Sequence, residues 1–106
     1  MTIKMHICYE NTASATFDED YFLSKHIPLV KSAFTPHGLG NIEVKILQPG
    51  LQGEEPPYKA ITELTFEDRQ ALETCMKAAG REVTMDVKNY TDIRPVSFVA
   101  TSNEVA

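Results

Sequence analysis

The chain has 106 residues, with 42% hydrophobic and 24% charged side chains. That is one ordinary domain, large enough to bury roughly two thirds of the surface its unfolded form exposes, and its balance excludes disordered and fibrous classes. A formal net charge of −5 argues against a nucleic-acid partner, because phosphate-backbone affinity rests on clustered Lys and Arg.

No apolar run approaches the ~18 residues of a membrane span, and Met1 to His6 lacks the apolar core of a signal peptide. The expectation is a cytoplasmic protein without membrane contact. The two cysteines, Cys8 and Cys75, lie outside any CxxC motif and read as structural core thiols.

Ile3, Met5, Ile7 and Tyr9 alternate with Lys4, His6 and Cys8, which predicts a first strand. Thr16-Phe17-Asp18-Glu19 has the spacing of a capping box and predicts a helix. Its inward stripe is Phe22, His26, Leu29, Val30 and Ala33. Pro28 removes one ladder bond inside that stripe, so a kink is expected near Ser24 or Lys25. Pro36, Gly38 and Gly40 end the element.

Ile42, Val44 and Ile46 mark a second strand. Segment 48–57 is polar and rich in turn residues, longer than a tight hairpin needs, and reads as a disordered tip or a flap. Tyr58 to Phe66 is the third strand, with Tyr58, Ala60, Thr62, Leu64 and Phe66 on one side. Leu72, Cys75, Met76 and Ala79 predict a second helix ended by Gly80. Arg81 to Asp92 reads as an irregular linker, and Val96, Phe98 and Ala100 as the last strand.

The order is β-α-β-β-α-β in a single domain, 1–106. This predicts an α+β, ferredoxin-like fold: a four-stranded antiparallel sheet with both helices on one face. The other face is left bare and is not fully polar, so a homodimer joining two sheets is expected.

The chain lacks GxGxxG, Walker, GxSxG and HExxH motifs, and its three histidines, His6, His26 and His37, are not at metal-ligand spacing. RNA-recognition domains share this topology, but Ile61 and Glu63 stand where stacking rings would be needed. Among polar residues His26 is the most informative. Its place on the helix stripe aims an imidazole through an apolar layer, either as a buried structural ring or as a general base or acid. Asp86, flanked by Met85 and Val87, is its expected partner or else a turn aspartate. Tyr21, Tyr58 and Tyr90 can add phenol donors to a cleft, or simply pack.

Phe17-Asp18-Glu19-Asp20-Tyr21-Phe22, Lys25-His26-Ile27-Pro28-Leu29, Tyr58-Lys59-Ala60, Leu64-Thr65-Phe66-Glu67 and Asp86-Val87-Lys88-Asn89-Tyr90-Thr91-Asp92 with Pro95 together resemble the EthD family, named for ethyl tert-butyl ether degradation. The resemblance spans nearly the whole chain and implies a dimeric α+β barrel with a ligand cavity between sheet and helices. Related barrels include muconolactone isomerases, small cofactor-free monooxygenases and polyketide cyclases. The family histidine falls on His26, its proline on Pro28, and its late aspartate and tyrosine on Asp86 and Tyr90. The family often has two adjacent tyrosines before the histidine, whereas this chain has Tyr21-Phe22.

Two functional readings follow. In one, a cytosolic homodimer binds a small apolar or aromatic ligand at Tyr21, Phe22, Tyr58 and Tyr90. His26 and Asp86 then move a proton without cofactor or metal, as an oxidoreductase or an isomerase or cyclase would in a degradative or biosynthetic pathway. In the other, the protein is a non-catalytic carrier or accessory subunit of an oxidative degradation system, and His26 only orients the ligand.

Overall fold

A computed structural model describes residues 2–106. Strands β1 (Thr2–Glu10), β2 (Asn41–Ile46), β3 (Tyr58–Phe66) and β4 (Val96–Ser102) form one antiparallel sheet in the order β2-β3-β1-β4. The two central strands are neighbours although a helix separates them in sequence, which is the split βαβ arrangement.

Strand parity decides which residues meet the helices. Met5 pairs with Leu64, Ile7 with Thr62 and Tyr9 with Ala60, so this set lies on the face that packs against Val30, Phe34, Leu72, Cys75 and Val83. The alternate set, Lys4, His6 and Cys8, shares the other face with Ile61, Glu63, Val96 and Phe98. That face carries no helix.

The first helical arm is α1 (Glu19–Tyr21), a π-helical turn (Phe22–His26) and α2 (Ile27–Phe34) in unbroken succession. Pro28 has no N–H, and the chain meets the gap by widening the preceding turn, so that Ile27 N–H bonds the Phe22 carbonyl five residues back. The irregularity expected near Ser24 and Lys25 is therefore a π turn, with His26 as its last residue. The cap differs from the capping box read in the sequence. Asp18 accepts from Tyr21 N–H at 3.1 Å, while the Thr16 N–H is taken by Asp92 Oδ1 at 2.9 Å. Thr16 is drawn away because its strand-like neighbour Phe17 bridges to Thr91.

The arm stops at Gly38, whose φ of 101° is open to glycine and strained for a residue with a Cβ.

Two further expectations are corrected. Gly80 does not end the second helix: α3 (Arg69–Asp86) continues through it, because Val83 extends the buried line of Leu72, Cys75 and Ala79. Burying Val83 is worth more than the ~1 kcal/mol a mid-helix glycine costs. The linker read as irregular from Arg81 thus begins only after Asp86, with a short 3-10 turn at Val87–Asn89. Segment 48–57 is not a disordered tip but a hydrogen-bonded turn, closed by Gly50 N–H to Glu54 O at 2.8 Å and Gly53 N–H to Gly50 O at 2.9 Å. Asn11 N–H to Pro57 O ties it to the end of β1.

Both cysteines are buried and unpaired. Among the described residues no helix is long and apolar enough to cross a membrane, and no cluster of three His, Cys, Asp or Glu side chains is placed to hold a metal.

Candidate functional site

His26 and Asp86 arrive from the two helical arms. The segment before α1 and the segment after α3 are laced together: Asp18 N–H bonds Tyr90 O at 2.7 Å, and the Thr91 hydroxyl bonds Thr16 O at 2.6 Å. This lacing brings the π turn against the end of α3. There the His26 Nδ1–H donates to Asp86 Oδ2 at 2.9 Å. Tyr21 Oη–H and Asn89 Nδ2–H donate to Asp86 Oδ1 at 2.8 and 2.9 Å.

Asp86 closes α3, the end of a helix that repels negative charge. It serves no cap there. Three donors instead hold the carboxylate. Burial works to raise its pKa, but the hydrogen bonds from Asn89, His26 and Tyr21 outweigh it and keep the carboxyl below its ordinary value. His26 is 4% exposed. Burial pushes its imidazole below the ordinary value, against the opposing pull of Asp86, so the neutral ring is favoured. With Nδ1 engaged by Asp86, Nε2 is the free acceptor.

The imidazole lies 4.5 Å from the Tyr90 ring and stacks on Phe22, centroid to centroid 5.9 Å. It also lines a cleft of about 590 Å³ between α3 and the β1–β4 half of the sheet, within the size range of small-molecule sites. Met5, Ile7, Tyr9, Val83, Val87, Ile93 and Pro95 supply apolar surface, and Thr84, Lys88, Asp92, Arg94 and Ser97 supply polar surface.

Of the residues singled out in the sequence, His26, Asp86, Tyr21 and Tyr90 form one cluster, but only His26 lines the cleft; Tyr21 and Tyr90, expected to bind ligand, are not part of its wall. Phe22 is wholly buried and supports the ring from behind rather than lining the cleft. Tyr58 is not brought to the site: it opens β3 opposite Glu10 and is absent from the cleft wall. No residue of segment 48–57 lines this cleft either. Pro49, Glu55 and Pro56 border a separate hollow of about 300 Å³ with Asn11 and Phe17.

Two site residues were missed. Asn89 gave no local signal. Tyr9 gave one, as the last inward residue of β1 and a phenol whose hydroxyl needs a partner once buried. It finds Tyr90 Oη at 2.7 Å. Burial raises the pKa of both phenols above the ordinary range, for Tyr90 with added pressure from Tyr9 and Asp86, so both stay protonated.

The fold and the cluster define a ferredoxin-like α+β protein with a histidine–carboxylate pair set in a cleft between helix and sheet. The chain belongs to the EthD family, since residues 10–94 match the EthD domain. An EthD-like protein from Ralstonia eutropha JMP134 is 28% identical with a TM-score of 0.84, over 93% of this chain and 89% of that one. An ethyl tert-butyl ether degradation family protein from Bacillus halodurans C-125 is 18% identical with a TM-score of 0.68, over 97% and 100%. SnoaB, a cofactor-independent oxygenase from Streptomyces nogalater, shares the fold at 8% identity and a TM-score of 0.72, over 98% and 95%. No curated protein sequence matches the chain.

Proposed function

We propose that residues 1–106 act as a single-domain homodimer that binds a small, largely apolar or aromatic molecule in the His26 cleft and moves a proton there without a cofactor. The carrying observation is the 2.9 Å bond from His26 Nδ1 to Asp86 in a ring that lines a cleft of about 590 Å³. Asp86 holds the tautomer that keeps Nε2 basic, and the buried position favours the neutral, proton-accepting form. Removing a proton from an enol, phenol or activated C–H is the first step shared by oxygenation, isomerisation, cyclisation and decarboxylation. The fold likeness to a cofactor-independent oxygenase supports chemistry of this kind.

The dimer is supported by the bare sheet face, where Val96 and Phe98 remain 52% and 49% exposed. A dimeric ferredoxin-like protein from Thermobifida fusca has the same fold. Two free, buried thiols suit a reducing, cytoplasmic setting.

Native mass spectrometry of freshly purified protein tests both points, since it reads dimer mass and any retained molecule together. A stable monomer at micromolar concentration overturns the dimer. Turnover of the retained molecule should fall by about 10²–10⁴-fold in His26→Ala, the usual contribution of a general base. Full turnover in that variant overturns the base, and recovery of the molecule unchanged from the wild type makes the protein a carrier.

A further inference from the structure

The Tyr9–Tyr90 pair carries a proton that the His26–Asp86 cluster does not use. Tyr9 and Tyr90 are 2% and 3% exposed, and their hydroxyl oxygens are 2.7 Å apart. Two hydroxyls bring two protons, and the bond between them engages one. Among the described residues neither hydroxyl has a second hydrogen-bond partner. One buried donor is therefore left over, a costly arrangement unless something in the site accepts from it.

The two rings differ in what they face. Tyr9 lines the cleft beside His26, and Tyr90 does not. With Tyr90 donating to Tyr9, the spare proton sits on the hydroxyl of the cleft-lining ring. Packing alone does not call for a phenol at position 9, because its ring neighbours Phe17 and Phe22 fill the same layer without hydroxyls.

Resting on the proton-transfer reading above, we infer that Tyr9 Oη is the oxyanion-binding donor of this cleft and that the ligand is a phenol or an enolisable carbonyl compound, with an oxygen at or beside its acidic position. The acidic O–H or C–H bond of the ligand breaks, its proton goes to His26 Nε2, and its electron pair ends on the ligand oxygen. Tyr9 donates a hydrogen bond to that oxygen and keeps its own proton. Tyr90, donating to Tyr9 from behind, polarises the donor. A prearranged donor at the point where negative charge develops is the commonest large contribution in such chemistry.

The test uses the full chain with para-nitrophenol, whose anion is read by visible absorbance, at a pH just below the probe's own ionisation midpoint. Wild type should bind the probe as phenolate. Tyr9→Phe should lower phenolate affinity by about tenfold or more, the worth of one hydrogen bond to a charged group. Tyr90→Phe breaks the same bond between phenols but leaves the Tyr9 donor, and should stay within about threefold of wild type. Equal phenolate binding in Tyr9→Phe and wild type overturns the donor while leaving His26 as base. A Tyr90→Phe loss as large as that of Tyr9→Phe also overturns it, reducing the pair to packing. Failure of wild type to bind the probe, or binding only as the un-ionised phenol, overturns the proton-transfer reading and this inference with it.

Discussion

The sheet carries a histidine beside a carboxylate on each of its two sides, and the two pairs behave differently. On the helix side, His26 Nδ1 meets Asp86 at 2.9 Å, with side chains 5% and 14% exposed. On the bare side, His6 Nδ1 stands 3.7 Å from Glu63, beyond hydrogen-bond distance. Glu63 instead takes Lys45 Nζ at 2.6 Å and has Lys4 at 3.7 Å. The hydrogen bond from Lys45 is what chiefly lowers its pKa, against desolvation. His6 stacks on Phe98 at 4.8 Å. Three donors hold one carboxylate in the first region, whereas in the second two lysines, 48% and 32% exposed, reach an equally shielded acid from the solvent side. The first arrangement orients a ring, and the second distributes charge over a surface with exposed apolar neighbours.

Breaking each pair should show this contrast. Asp86→Ala strips the acceptor from His26, Tyr21 and Asn89 at once, and a loss of about 3 kcal/mol in unfolding free energy is expected from removing a hydrogen-bonded charged acceptor. Chemical denaturation measures it, and a loss below about 0.5 kcal/mol would mean that the cluster does not hold the two helical arms together.

The second expectation concerns pH. His26 has its pKa lowered from 6.5 by burial, so the unfolded chain binds the proton first as pH falls, and stability is lost from about pH 6.5 downward. Asp86, lowered from 3.8, extends the loss below pH 4 in the same direction. Stability should therefore rise with pH across this window, and His26→Gln should flatten the upper part. An NMR midpoint for His26 above 6.5 would reverse the sign and show Asp86 winning over burial.

Thr62 offers a smaller test on the helix side. It is 2% exposed, and among the described residues its hydroxyl has no hydrogen-bond partner. Thr62→Val keeps the shape and removes the stranded polar group, so a gain of about 1 kcal/mol is expected by thermal or chemical unfolding. A loss would reveal an acceptor or donor that the hydroxyl serves. The smallest effect belongs to the bare face: Glu63→Gln should change unfolding free energy by less than about 1 kcal/mol, because its lysine partners are 32% and 48% exposed and such pairs are screened by solvent. A larger loss would place this face among buried surfaces and favour its coverage by a second chain.

Much of this contrast was legible in the residues. Alternation in Ile3 to Tyr9 separates the two faces of β1, and the spacing of Phe22, His26 and Val30 turns the imidazole inward. The same spacing logic missed the reach of α3, because a glycine at position 80 weakens a local pattern without overriding the burial of Val83. It also favoured Thr16 as a cap, although the backbone there is claimed by residues more than seventy positions away, with Thr16 and Asp92 separated by 76. Tyr58 was an attractive phenol on the inward side of its strand, but it opens β3 opposite Glu10, whereas the cleft is walled by the β1–β4 half of the sheet.

The strand and helix faces, the inward histidine and the bare side of the sheet are set by short periodic patterns, because neighbouring residues alone dictate which way a strand or helix side chain points. Which hydroxyl meets which, as Tyr9 meets Tyr90 across 81 positions, follows only from how the two arms close on the sheet. Hydrogen bonds act over about 3 Å, so such partnerships exist only once packing has brought distant segments to that distance.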